Sequence, residues 1–264
     1  MSITILIQTL KDHWKGTTIL AALLFIWMLY ITVVYPTVAN INLNEMMNST
    51  VIQAVYGKGP VDLNTFDGYM TTKAMLMFGL IFGGYIAWLA ATFLSGEVEH
   101  NTIDLLLSLP VKRESLVLAR YFSLLPAILL MLVAGLAGVY LGIKMENIAT
   151  DFQWYIWAML YIGLFGLAFG AISLLISAVL SNGRQAALLS IGLMLAMYFT
   201  ETIGSVVPSV DIIRRLSLFH YVNYIGIIGT HKLNQADAGV LIVIAVVFLA
   251  LAVFFYRYRE INVS

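Results

Sequence analysis

The stretch WYIWAMLYIGLFGLAFGAISLLIS, which runs from Trp154 to Ser177, decides the fold class of this protein. It is 24 residues long, strongly apolar and free of charged side chains. A helix of about 20 residues crosses a hydrocarbon core of about 30 Å, so the length is sufficient. The regular alternation of polar and apolar side chains that barrel strands require is absent. The stretch therefore predicts a transmembrane α-helix.

Five further stretches have the same character, and together the six define the architecture. The predicted spans are Thr18–Tyr35, Ala74–Leu94, Tyr121–Leu141, Trp154–Ser177, Ala186–Val206 and Val240–Tyr256. Across all 264 residues, 61% are hydrophobic and 11% are charged, whereas soluble domains carry about 25% charged residues. The sequence predicts an all-α membrane protein with six transmembrane helices, surrounded by membrane lipid and forming a single transmembrane domain over residues 1–264.

Composition and motifs exclude several function classes. Fourteen Lys and Arg residues balance fourteen Asp and Glu residues, so there is no net basic field to hold nucleic acid. The absence of cysteine excludes thiol catalysis and Cys-ligated metals. The segment Gly57–Pro60 lacks the spacing of a phosphate-binding loop. His100 has no second histidine nearby to complete a metal site. We therefore expect no cofactor and no ATP-binding site in this chain.

The segment before the first span has an amphipathic pattern. Ile3, Leu6, Leu10 and Trp14 recur at helical spacing, which predicts a short N-terminal helix lying in the membrane interface. The alternative is that this segment simply extends the first span.

The segment between the fifth and sixth spans is apolar but interrupted. Its two halves, Val207–His220 and Tyr221–Thr230, predict two short re-entrant helices that dip into the membrane from outside. The interruptions are Pro208, Asp211, Arg214 and Arg215. Irregular backbone at membrane depth has to be shielded by protein.

Basic residues set the expected orientation. Six spans place both termini on one side of the membrane. If that side is cytoplasmic, eight Lys and Arg residues lie inside and six lie outside, which has the sign that the positive-inside rule requires. We expect a plasma-membrane protein with both termini in the cytoplasm.

Glu201 is the only ionisable residue within a predicted span. A carboxylate at membrane depth is costly and suggests a functional site, such as a proton or cation site. Glu201 is also close to the outer end of its span, where Arg214 or Arg215 could pair with it. This second interpretation gives it a structural role.

Small residues recur on one face of several spans. The sets are Gly79 with Gly83, Gly138 with Gly142, and Gly163 with Gly166 and Gly170. Spacings of three or four residues allow close approach of helices, so we expect these glycines to be packing positions.

The loop after the second span carries the most specific signal. Thr102, or Asn101 before it, can cap a helix, and Asp104 would lie in its first turn. A leucine-rich turn follows, and Pro110 ends it. The pattern predicts a short amphipathic helix outside the membrane whose exposed leucines need a partner.

The run E-x-E-x-x-T-I-D-L-L-L-S-L-P-V-K-R over residues 97–113 resembles the first cytoplasmic loop of ABC-2 type ABC transporter permeases. The ending Tyr256–Ile261 is similar to the basic-aromatic tail of that family, while Asn101 departs from its usual glycine. The resemblance implies a permease subunit, in a family that mostly exports, working as a homo- or heterodimer with separate ATPase subunits that hold ATP and Mg. It also implies a cytoplasmic coupling helix that contacts the ATPase. The residues to which this role carries over are Glu97, Glu99, Thr102, Asp104, Leu105, Leu106, Leu109, Pro110 and Arg113.

Two other classes of function compete with this interpretation. An ion-coupled secondary transporter or channel would use Glu201, but such proteins commonly show internal repeats, and none is visible between the halves. A membrane-embedded enzyme would need several catalytic side chains within the spans, and only Glu201 is available there.

Overall fold

The computed structural model describes residues 3–39, 65–99, 113–206 and 211–258, and in these ranges the chain is helical with short connections. The helices are α1 (Ile3–Ala39), α2 (Phe66–Tyr69), a π-helix (Met70–Met75), α3 (Leu76–Glu99), α4 (Arg113–Phe122), α5 (Leu124–Glu146), α6 (Phe152–Val179), α7 (Gly183–Val206), α8 (Asp211–Arg214), α9 (Leu218–Val222), α10 (Tyr224–Thr230) and α11 (Gln235–Tyr258). Six helical units are long and apolar enough to cross a membrane. They coincide with the six predicted spans, so the all-α membrane fold is confirmed. α2, the π-helix and α3 form the second span, and α4 and α5 form the third.

The separate N-terminal helix predicted from the sequence is not present. α1 runs without a break from Ile3 to Ala39, as the alternative of an extended first span required. The single glycine at the junction, Gly16, costs only about 1 kcal/mol in a helix interior, which is too little to end a helix between good helix formers. At 1.5 Å per residue, 37 residues reach about 55 Å, so α1 must extend beyond the hydrocarbon. The interfacial location of its first turns stays a prediction.

The fourth span lies at the centre of the bundle. α6 is the most buried of the six spans and packs mainly against the second and sixth, while the first span packs along the third. The fifth and sixth spans are the most exposed. Aromatic rings fill the centre, among them the fully buried Phe78, Phe82, Phe165 and Phe169.

Six of the seven predicted packing glycines lie against a neighbouring helix. An added Cβ at Gly138 would lie 2.5 Å from the backbone oxygen of Phe25. At the other five, the nearest side-chain atom would lie 2.6–2.9 Å away; they are Gly83, Gly142, Gly163, Gly166 and Gly170. Gly79 is the exception, because no described atom lies within 4 Å of its added Cβ. The described residues therefore bear out close packing at six of the seven glycines and show no such contact at Gly79.

The segment before the last span contains three described short helices, α8, α9 and α10, where the sequence predicted two. Left-handed backbone at Asn223, with φ of 37°, separates α9 from α10, and asparagine tolerates this conformation better than most residues. The ring of Phe219 lies 4.7 Å from the ring of Phe165, centroid to centroid. Since Phe165 is near the middle of α6, the segment reaches far into the bundle, as re-entrant helices would.

Candidate functional site

Three parts of the chain meet at one end of the bundle, which we call the inner end. The Arg120 guanidinium in α4 donates a hydrogen bond to the Thr9 hydroxyl in α1. Arg257 Nη1 in α11 donates to Glu114 Oε1 in α4 at 2.9 Å. The beginning of α1, the end of α11 and α4 are therefore neighbours, as an even number of spans requires.

The loop that carries the predicted coupling helix connects α3 to α4 at this inner end. Glu97 and Glu99 belong to the last turn of α3, and Arg113 begins α4. The other members of the predicted contact lie outside the described residues, namely Thr102, Asp104, Leu105, Leu106, Leu109 and Pro110. Their role, and that of Asn101 as an alternative cap, stays a prediction.

A polar cluster lies at the opposite, outer end of the fifth span. Glu201 Oε1 accepts hydrogen bonds from Arg214 Nε at 3.0 Å and from Arg214 Nη2 at 2.8 Å. The other carboxylate oxygen lies 3.5 Å from Nδ1 of His220. The Glu201 side chain is 20% exposed. The pairing of Glu201 with Arg214 that the sequence suggested is present, and it joins α7 to the segment that contains α8 and α9.

Tyr224 lies in the same region at the beginning of α10. Burial raises the pKa of its phenol, and the nearby Glu201 carboxylate raises it further. The hydroxyl therefore stays protonated at neutral pH, and Tyr224 adds no charge to the Glu201 cluster.

A second outer cluster centres on Asp67 in α2. Its Oδ1 accepts hydrogen bonds from the Tyr155 hydroxyl at 2.7 Å and the Thr150 hydroxyl at 2.8 Å. His231 Nε2 lies 3.9 Å from Oδ2, and its ring stacks on Trp154 with centroids 4.8 Å apart. The cluster thus joins the beginnings of the second and fourth spans to the end of α10. Sequence reasoning missed it, because Thr150 and Tyr155 lie 83 and 88 residues further along the chain than Asp67, and His231 lies further still.

The amino-acid sequence that forms these six spans agrees with a known family over almost its whole length. A sequence model of the ABC-2 family transporter proteins matches residues 5–261. The chain belongs to the ABC-2 family. A comparison with curated proteins gave no match.

Membership defines the general role of this ABC-2 protein. It is a multi-pass membrane protein and the membrane component of an ABC transporter. The family implies a partner ATP-binding cassette subunit, in which the ATPase activity lies. Within the part of the chain that the structure describes, no three His, Asp or Glu side chains converge as metal ligands.

Proposed function

We propose that this chain is the permease subunit of an ABC exporter in the plasma membrane, with both termini in the cytoplasm. ATP and Mg are held by the partner ATPase, whose hydrolysis drives movement of a substrate through the permease. The observation that carries this proposal is the family match over residues 5–261, together with six helices suited to spanning a membrane.

The coupling role falls to the loop between Glu99 and Arg113. The described helix that follows this loop, α4, lies at the inner end, where it is bonded to the early part of α1 and the last turn of α11. The sequence of the loop has a residue that can cap a helix, then a run of leucines, and then a proline that would end the helix. A leucine-rich turn outside the membrane gains from burial in a cleft of a partner protein, at roughly 1.5–3 kcal/mol for each leucine.

A second copy of the permease would pack on the fifth span. α7 and α11 are about equally exposed, but α7 is clearly the less apolar of the two. Its outward face carries large apolar residues on either side of Gly192, which has no described atom within 4 Å of an added Cβ. Lipid imposes no need for such a small residue, whereas close approach of another helix does. This face therefore supports a dimer, in which a substrate path could form between the two copies.

The alternative function, ion-coupled transport through Glu201, has weaker support. Arg214 donates twice to one oxygen of that carboxylate. With His220 Nδ1 3.5 Å from the other oxygen, the carboxylate links α7 to the segment that contains α8 and α9, which favours the structural role.

Association with an ATPase tests the proposal directly. We expect the detergent-solubilised chain to co-purify with an ATP-binding cassette subunit encoded beside it, and the complex to hydrolyse ATP after reconstitution into vesicles. The proposal would be contradicted if the chain purified alone and carried out transport driven by a proton gradient in the absence of ATP.

The dimer has its own test, which benefits from the absence of native cysteine. Gly192→Cys should form a cross-linked dimer in native membranes. Val246→Cys, at an exposed position of the sixth span, is the matched control and should remain monomeric. Equal cross-linking at the two positions would argue against an interface on the fifth span.

A further inference from the structure

The third span is divided near its inner end. α4 ends at Phe122 and α5 begins at Leu124, with Ser123 between them. In a regular α-helix each N–H donates to the carbonyl four residues earlier. Pro126 has no backbone N–H, so the carbonyl of Phe122 lacks this donor. The Ser123 N–H still donates to the carbonyl of Ala119 at 3.1 Å, so the helix loses one backbone hydrogen bond near this point without being broken. The Ser123 hydroxyl donates in addition to the carbonyl of Arg120 at 2.6 Å. Proline and inserted side-chain hydrogen bonds are recognised causes of helix kinks, so this point is a natural hinge.

On the inner side of this hinge, α4 is attached more to other spans than to its own continuation. It packs chiefly against the sixth span and then against the first, and less against α5. Leu116 and Val117 of α4 are buried within the bundle. The hydrogen bonds from Arg120 to Thr9 and from Arg257 to Glu114 join α4 to the same two spans.

The hinge end of α4 is held on the centre of the bundle. The Tyr121 hydroxyl donates to the carbonyl of Leu167 in the fourth span at 3.1 Å. Since α6 is the most buried span, this hydrogen bond joins one end of α4 to the most buried part of the fold. The other end, at Arg113, continues directly from the loop that the ATPase is proposed to contact.

We propose that α4 is the element that transmits movement from the ATPase: it pivots at Ser123 and carries the inner ends of the first and sixth spans with it. Arg120 and Glu114 are positioning residues that hold these spans to α4. The inference rests on the proposed coupling to an ATPase. Ten helical residues measure about 15 Å, so a rotation of about 20° moves the Arg113 end by about 5 Å.

Two distances between spin labels test the pivot without knowledge of the substrate. One labelled pair is Ser115→Cys with Val179→Cys, which reports α4 against the fourth span. The other is Ser115→Cys with Tyr258→Cys, which reports α4 against the sixth. Val179 and Tyr258 are exposed. In the complex with the ATPase, ATP and vanadate should shift the first distance by about 4 Å, because residue 115 lies about 12 Å from the pivot. The second distance should stay nearly unchanged.

The hinge itself is tested by Pro126→Ala, which restores the missing N–H donor. We expect it to reduce the shift between residues 115 and 179 to less than half, while the ATPase stays bound. Pro36→Ala, which makes the same change inside α1 near its outer end, should preserve the full shift.

Equal shifts of the two distances, or an unchanged shift in Pro126→Ala, would overturn the pivot. If Pro126→Ala fails to fold, the two wild-type distances decide the question alone. Failure of the wild-type chain to bind the ATPase is a different result, because it refutes the proposed function and the pivot together.

Discussion

Glu201 and Arg214 are joined at a single carboxylate oxygen. Nε and Nη2 of Arg214 both donate to Oε1, at 3.0 and 2.8 Å. Oε2 is buried and accepts no hydrogen bond from the described residues, with His220 Nδ1 3.5 Å away. The pair therefore fastens the segment before the last span to the outer end of the fifth span through one oxygen.

Glu201→Gln is expected to lower stability modestly and leave ATP-driven activity intact. The amide oxygen can still accept from Arg214, but the charge that compensates the guanidinium is lost. For a pair that is partly exposed, the loss is about 1 kcal/mol. The measurement is the melting temperature of the purified protein together with ATP hydrolysis by the complex.

The matched control is Glu146→Gln, an exposed carboxylate at the end of the third span, which should leave the melting temperature unchanged. A well-folded Glu201→Gln protein that has lost all activity and all dependence on a proton gradient would favour the ion-coupled alternative.

Asp67→Ala should destabilise the protein because it leaves the buried hydroxyl of Tyr155 without an acceptor. An orphaned buried donor costs about 1–3 kcal/mol. Tyr155→Phe removes the same donor, so in a double-mutant cycle the two changes should cost clearly less together than the sum of their separate effects. Thermal unfolding of the four proteins gives the coupling energy. Strict additivity would show that the Asp67 hydrogen bond does not stabilise the outer end.

The spans could be predicted from the sequence because a continuous apolar run is a local property. The ends of the helices could not be predicted in the same way. Hydropathy detects only the part of a helix that crosses the hydrocarbon, and α1 extends beyond that part. The π-helix was missed for a related reason. At its start, the Thr71 and Thr72 hydroxyls donate to the carbonyl of Gly68. The pattern of apolar and polar residues in the sequence does not predict these hydrogen bonds.

The candidate sites divide in the same way. The partner of Glu201 could be narrowed to Arg214 or Arg215 because both lie close in sequence, and Arg214, 13 residues away, is the one that binds. The Asp67 cluster could not be named, since Tyr155 is brought to it only by the packing of two spans. Gly79 is buried on the same helix face as Gly83, but the spacing rule does not say at which of the two positions a neighbouring side chain comes close.

Two glycines give a matched test of close packing. Gly138→Ala places a Cβ 2.5 Å from the Phe25 carbonyl oxygen. Because this contact is with backbone, the first and third spans must separate, at a cost of about 1–3 kcal/mol. Gly79→Ala meets no described atom within 4 Å and should be neutral or slightly stabilising, since alanine is the better helix former. Similar melting temperatures for the two variants would contradict the packing role of Gly138.

The expected topology can be read by labelling single cysteines with a membrane-impermeant maleimide. His100→Cys, in the loop at the inner end, should react only after the cells are permeabilised. Gln153→Cys, exposed at the outer end of the fourth span, should react in intact cells. The reverse pattern would place both termini outside and remove the basis for contact with a cytoplasmic ATPase.

The last prediction concerns Leu106 in the proposed coupling helix. If this leucine is buried in a cleft of the ATPase, Leu106→Asp places an unpaired charge there, which costs several kcal/mol. The six-span fold should survive, because the loop lies outside the spans. The measurement is pull-down of the ATPase together with ATP hydrolysis by the reconstituted complex, and we expect both to fall at least tenfold.

Leu63→Asp makes the same change in the outer loop and should leave association and hydrolysis at the wild-type level. Equal association of the two variants would remove Leu106 from the interface, and with it the assignment of this loop as the coupling element.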